Sequence, residues 1–278
     1  MKVTVYEVGP RDGLQYLEHF VKTESKQNLI NSLYRAGLQE IEEVSFAHPK
    51  RLPQMADAEK VFSGFGAGLV MNKRGYDRAV KTGVKKMNIV FSPCETFNVN
   101  NMGKNRSEIV LMYKTLMQDV PKENVRVYIS MSFGSPYSGE ISPRVMKSCL
   151  RDAKMFGDTV VFADTVGVAT EQEVALWAEM ALEEGLRPAL HLHHKGDESR
   201  AVYLVRIGLL NGIKEFDSSI NGMGGCPFAE GSGANLSTQT LVRHLNAWGF
   251  DCGVKEDDLI DAARIARSIS KTTVQLLS

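Results

Sequence analysis

Val3-Thr4-Val5-Tyr6-Glu7-Val8-Gly9-Pro10-Arg11-Asp12-Gly13-Leu14-Gln15 opens the chain, and the reading of this stretch decides the fold. Residues 3–7 alternate as a strand does, with successive side chains on opposite faces. An open, doubly wound sheet that binds a dinucleotide should follow its first strand with Gly-x-Gly-x-x-Gly. The turn here is Gly9-Pro10-Arg11-Asp12-Gly13, which does not match. Working outward, further strands are expected at Glu40–Ser45, Gly68–Met71, Lys86–Phe91, Arg126–Ser132, Thr159–Ala163, Pro188–His193 and Glu215–Ser219. Helical segments fall near 24–36, 55–63, 74–82, 106–118, 143–156, 171–184, 198–211 and 236–248, with a last helix over about 256–271. Strands alternating with helices imply parallel pairing through right-handed crossovers. Eight such units favour an α/β fold of the closed (β/α)8 type, a TIM barrel, which takes about 250 residues. The expectation is a single catalytic barrel domain over 1–278, with a C-terminal helical extension.

Composition narrows the partners. Lys+Arg and Asp+Glu are equal at 33 each, so no overall field favours nucleic acid or an anionic membrane. No run approaches the ~20 apolar residues of a membrane span, and the alternating N-terminus does not read as a signal peptide. The four cysteines, Cys94, Cys149, Cys226 and Cys252, form no Cys-x-x-Cys pair. A reducing, cytoplasmic location is therefore expected. A symmetric homodimer is the commonest assembly and is the expectation for this chain as well.

A TIM barrel carries its active site at the C-terminal ends of its strands, so polar residues there are the candidates. The first strand end presents Arg11, Asp12 and Gln15 together; the alternative is a surface ion pair in a turn. The seventh ends His191-Leu192-His193-His194, and residues i and i+2 share a face, so His191 and His193 can address one ion. A buried, hydrogen-bonded pair is the alternative. Asn235 is either the N-cap of the next helix or a neutral oxygen ligand. Asp12, His191, His193 and Asn235 together make a mixed oxygen–nitrogen set for a divalent metal ion, with Mg²⁺ or Mn²⁺ expected first and Zn²⁺ or Co²⁺ as alternatives. Glu42 and Ser45 end the second strand, and Asp164 and Thr165 the sixth. Glu42 could hold Arg11, and Asp164 could orient a bound water or substrate, unless both form a polar collar. The loop Gly222-Met223-Gly224-Gly225-Cys226-Pro227 can expose backbone amides and places Cys226 as a candidate proton carrier.

These motifs resemble those of 3-hydroxy-3-methylglutaryl-CoA lyase and its relatives, metal-dependent TIM-barrel lyases and synthases related to isopropylmalate synthase. The resemblance rests on Val8-Gly9-Pro10-Arg11-Asp12-Gly13-Leu14-Gln15, Ser45-Phe46, Pro53-Gln54-Met55, Pro136-Tyr137, Ile141-Ser142-Pro143, Asp164-Thr165-Val166-Gly167, His191-Leu192-His193 and Gly224-Gly225-Cys226-Pro227-Phe228-Ala229. It implies metal ligation by Asp12, His191, His193 and Asn235. Catalysis falls to Arg11, Cys226, Asp164 and Glu42, and substrate contacts to Gln15, Ser45, Thr165, Gly224 and Gly225. The implied reaction is retro-aldol (retro-Claisen) cleavage of a 3-hydroxyacyl-CoA. The sequence departs from the family pattern at His194-Lys195-Gly196-Asp197, at Tyr16-Leu17-Glu18 and at Glu230. A lyase for another hydroxy acid or a citramalyl-type thioester, a condensing synthase, and a metal-binding paralogue without activity remain alternatives.

Overall fold

The computed structural model describes residues 1–225 and 233–275, the last five as backbone only. Eight parallel strands form the barrel: β1 Thr4–Glu7, β2 Glu40–Ser45, β3 Ala67–Leu69, β4 Lys86–Phe91, β5 Val125–Ser130, β6 Thr159–Asp164, β7 Arg187–His194 and β8 Glu215–Ser218. They pair in chain order, and β8 returns to β1 with Val5 opposite Phe216, which closes the ring. A short ninth strand, β9 (Ala234–Asn235), pairs antiparallel with β7, setting Asn235 opposite His193.

The surrounding helices are α1 Thr23–Arg35, α2 Ala58–Val61, α3 Lys73–Thr82, α4 Glu95–Met102, α5 Arg106–Leu116, α6 Pro143–Lys154, α7 Glu171–Glu183, α8 Ser199–Leu210, α9 Thr238–Ala247 and α10 Ile260–Gln275. Their starts follow local chemistry. Asn105 and Thr170 open α5 and α7 with reciprocal capping to Glu108 and Glu173, and Ser142 caps α6 just before Pro143. The segment expected as one helix over 55–63 is a 3-10 turn (Pro53–Met55) and one α-helical turn, because Gly64 and Gly66 follow immediately. Helix α4 was not expected at all. No helix among the described residues is long and apolar enough to cross a membrane.

Alternation divides the strands cleanly. Ile89, Val127, Ile129, Phe162, Leu190 and Phe216 belong to the large core between sheet and helices. Leu69, Val90, Tyr128, Val161 and Ala189 form a separate cluster inside the ring. The inward positions also carry Tyr6, Glu42, Asn88, Arg126 and Asp217, all buried. A barrel interior this polar must satisfy each group internally.

Glu7 shows how the barrel's seam is held. Its Oε1 accepts from the backbone amides of Gly9 (2.8 Å) and Ile220 (2.9 Å), and its Oε2 from the Thr238 hydroxyl (2.5 Å). One side chain thus ties the end of β1 to the chain after β8 and to the start of α9. Burial, only partly offset by these three bonds, pushes its pKa up to about 7. The folded protein therefore binds this proton more tightly than the unfolded chain does, and stability falls as pH rises from about 4.5 to about 7. Glu7→Gln should remove that loss, worth on the order of 3 kcal/mol above pH 7. Urea unfolding at pH 5 and pH 8 checks it; the gap between parent and variant should change with pH, and a constant gap would refute the assignment.

Candidate active site and metal centre

Residues 9–13 form a single π turn in which the amides of Asp12 and Gly13 both point to the Val8 carbonyl (2.7 and 3.3 Å). The turn directs Arg11 and Asp12 into the barrel mouth, and both are buried. Arg11 is gripped on one side by the Glu42 carboxylate through Nε and a terminal nitrogen, and on the other by Asp12 Oδ1 at 2.8 Å. Glu42 is fixed in turn by Asn88, whose Nδ2 donates to its Oε1 at 2.7 Å and to the Tyr6 hydroxyl at 3.0 Å. Burial opposes the charge on Arg11, but Glu42 and Asp12 outweigh it and raise its pKa above the ordinary value. Burial also works against the Asp12 carboxylate; Arg11, His191 and His193 overcome it and hold its pKa low. Both ions are permanent at neutral pH.

The register sets the next layer. His191 on β7 lies opposite Asp217 on β8, and its Nδ1 meets Asp217 Oδ2 at 3.1 Å. His193 Nδ1 meets the Thr165 carbonyl oxygen at 3.0 Å. A carbonyl and an ionised carboxylate only accept, so each Nδ1 carries the hydrogen, and Nε2 is the nitrogen left to hold a proton or to ligate an ion. These two Nε2 atoms face each other 3.0 Å apart. Asp12, His191 and His193 each offer a ligand atom within 4.8 Å of the others. Burial and the neighbouring His191 push His193 down to about 4, so its ring is neutral at physiological pH. Burial lowers His191 too, but the hydrogen bond to Asp217 reverses the direction, and its pKa is raised.

Asn235 completes the set. Its Nδ2 donates to Asp12 Oδ2 (2.7 Å) and to the Met223 carbonyl (2.9 Å), and β9 sets it opposite His193. It is not the helix cap; Ser237 caps α9 instead, accepting from the Thr240 amide. Gly224 makes this packing achievable, since at φ +116° a Cβ there would strike the Asn235 amide nitrogen and come 3.0 Å from Asp12 Oδ2. Two imidazole Nε2 atoms, a carboxylate and an amide oxygen form a donor set suited to a divalent cation. Charge agrees. Arg11 and Arg126 pair with four carboxylates, Asp12, Glu42, Glu215 and Asp217, an excess of two negative charges.

These groups open into a cavity of about 190 Å³ at the C-terminal ends of the strands. Gln15, Ser45 and Thr165 line it with Arg11, Asp12 and the histidines; Leu69, Met71, Val90, Phe97 and Met102 form its apolar side. Gln15 also donates to Asp12 Oδ1 at 2.7 Å.

Residues 2–266 match the HMGL-like family. The chain belongs to that family. Among curated HMGL-like relatives, the hydroxymethylglutaryl-CoA lyase of Bacillus subtilis is 35% identical, covering 95% of this chain and 91% of the relative. A 3-hydroxy-3-isohexenylglutaryl-CoA/hydroxymethylglutaryl-CoA lyase of Pseudomonas aeruginosa is 33% identical, covering 98% and 94%. An HMG-CoA lyase from Acinetobacter baumannii, solved with coenzyme A and 3-methylmalate, superposes with a TM-score of 0.89 at 30% identity, over 97% of this chain and 91% of that one.

Within this HMGL-like frame, two of the candidates have structural partners of their own. Asp164 does not face the cavity. Its oxygens accept from the backbone amides of Val168 (2.8 Å) and Ala169 (3.0 Å), so it holds the loop after β6 and thereby the Thr165 carbonyl behind His193. Gly224 serves the contact between Asn235 and Asp12. Cys226 lies outside the described residues. Sequence reasoning passed over Asp217, Arg126 and Tyr128. Arg126 donates to Asp217 Oδ1 (2.8 Å), Glu215 (2.5 Å) and the Tyr128 hydroxyl (2.6 Å), and Tyr128 donates to Asp217 Oδ2 (2.8 Å). The signal was available, because Arg126 and Tyr128 sit two apart on an otherwise apolar strand and so share its inner face.

Asp217→Asn should weaken divalent-ion affinity about 10- to 100-fold, since the carboxylate orients His191 and raises its basicity. Titration calorimetry with Mn²⁺ checks this; unchanged affinity in a folded variant would remove Asp217 from the centre.

Proposed function

We propose that this chain is a divalent-metal-dependent carbon–carbon lyase that cleaves a 3-hydroxyacyl-CoA of the 3-hydroxy-3-methylglutaryl type. The carrying observation is the convergence of Asp12, His191 and His193 on one point beside the buried Arg11 guanidinium. Named relatives with this activity over nearly the whole chain support the same substrate. A bound divalent ion supplies Lewis acidity, lowering the pKa of a hydroxyl at neutral pH. Asp12, His191, His193 and Asn235 are the residues that would hold it, with Mg²⁺ or Mn²⁺ preferred by the oxygen donors and Zn²⁺ or Co²⁺ compatible with the imidazoles.

The reaction breaks the bond between C2 and C3. The 3-hydroxyl loses its proton and becomes the carbonyl of a 3-oxo acid, while the bonding electron pair passes to the thioester as an enolate. Arg11 stabilises the enolate oxygen as charge develops there, and Glu42 keeps the guanidinium from turning away. The enolate carbon then takes a proton to give the acetyl thioester, and Cys226 is our candidate donor. Gln15, Ser45 and Thr165 line the cavity where the substrate's polar atoms would lie. His48, Arg51 and Lys104 stand exposed at the rim, where a phosphorylated carrier would emerge. We take residues 1–278 as one catalytic domain, assembled as a homodimer and cytoplasmic; buried free thiols at Cys94 and Cys149 suit a reducing compartment.

Purified protein with Mg²⁺ or Mn²⁺ should convert 3-hydroxy-3-methylglutaryl-CoA to acetyl-CoA and acetoacetate, lose turnover with EDTA and regain it with metal. Arg11→Gln should lower kcat roughly 10²- to 10³-fold and keep the ion, whereas His193→Ala should lose the ion. Full turnover by Arg11→Gln would refute the enolate role, and failure to cleave this thioester would refute the substrate.

A further inference from the structure

His194 ends β7 and turns away from His193, since neighbouring strand residues face opposite sides. Its Nε2 lies 3.2 Å from the backbone carbonyl oxygen of Asn235 and 3.7 Å from Glu198 Oε1. A carbonyl and a carboxylate only accept, so Nε2 carries a hydrogen and donates it to Asn235. The other ring nitrogen, Nδ1, is buried and has no hydrogen-bond partner among the described residues. A buried polar atom left unpaired costs stability, so the ring is placed for its Nε2 contact and against its own Nδ1.

Glu198, just before α8, holds the chain on the far side of Asn235. Its Oε1 accepts from the Ser237 amide at 2.7 Å. Its Oε2 accepts from the Thr240 hydroxyl at 2.5 Å and lies 3.2 Å from the Ser237 hydroxyl. Between these two grips stands Asn235, on a strand only two residues long, whose own ladder to β7 can hold it weakly. Both hydrogens of its Nδ2 are engaged, by Asp12 and by the Met223 carbonyl, which leaves Oδ1 as the atom to offer an ion.

Resting on the metal centre proposed above, we infer that His194 and Glu198 are positioning residues for Asn235. They clamp the backbone of residues 235–237 so that the carboxamide oxygen stays at the point shared by Asp12, His191 and His193. One strand end then supplies two ligands from one face and the support for another from the opposite face. His194 also stands where the sequence departs from the family pattern, so the clamp belongs to this chain's own version of the site.

Titration calorimetry of the full chain with Mn²⁺ tests the clamp. His194→Leu should raise Kd about tenfold or more, as loss of a group that orients a ligand does. His194→Gln, whose amide nitrogen can donate in place of Nε2, should recover most of that loss; a ring that only filled space would be replaced better by leucine. In an Asn235→Ala background the same His194→Leu change should move Kd less than about twofold, because the ligand it positions is gone. Should the leucine variant fail to fold, Glu198→Ala read in the same two backgrounds decides. Parent-like affinity in both single variants, equal losses in both backgrounds, or a glutamine no better than leucine overturns the clamp and leaves the metal centre standing. Absence of Mn²⁺ binding by the parent overturns the centre and the clamp with it.

Discussion

Two imidazole nitrogens that face each other at 3.0 Å are the constraint around which this structure is arranged. Such a contact needs positive charge between the atoms, either the proton that the raised pKa of His191 favours or a bound cation. Neither ring can escape by changing tautomer, because Asp217 and the Thr165 carbonyl claim the opposite nitrogens. Rotation is blocked by the same bonds. Asp12 adds a formal negative charge at the same point, and Asn235 holds Asp12 there. The protein has thus fixed a place for a cation before any arrives, which is the condition for tight and geometrically selective binding.

Beneath that point runs a chain of buried charge. Arg11 pairs with Glu42, Glu42 with Asn88, and Asn88 with Tyr6, whose ring lies 3.8 Å from the guanidinium carbon of Arg126; Arg126 then reaches Asp217 and so His191. Networks of this kind are poor investments in stability, since desolvation offsets much of their attraction, but losing one member leaves its partner buried and uncompensated. Their effect here is orientation. Arg11, our proposed anion stabiliser, and His191, our proposed metal ligand, are held by opposite ends of one connected system.

Much of this was readable from the chain. Alternation located all eight barrel strands to within a few residues, because inward and outward positions differ in kind on each of them. The clustering of Asp12, His191 and His193 followed from placing polar residues at strand ends, whereas Asn235 preceded a helix and had a cap as its alternative role. What escaped had physical reasons. Helix α4 has apolar residues spread without a clear stripe, so periodicity gave no sign of it, although it supplies Phe97 and Met102 to the cavity. Asp164 looked like a site residue because it ends a strand, yet its carboxylate is consumed by two loop amides, a local bond that strand position alone does not reveal. Asp217 was visible in the sequence, but its task depends on register: only the pairing of β7 with β8 sets it level with His191.

Barrel closure has a consequence for assembly. Asp12 follows the first strand, whereas the histidines and Asn235 come from the last third of the chain, and they become neighbours only when β8 pairs with β1. A metal ion in this position would act as a clasp across the seam where the ring joins. It would bind the closed form far better than any open precursor, and so draw the final step of folding toward completion in proportion to its concentration. Maturation of the fold and loading of the catalytic centre would then be one thermodynamic event.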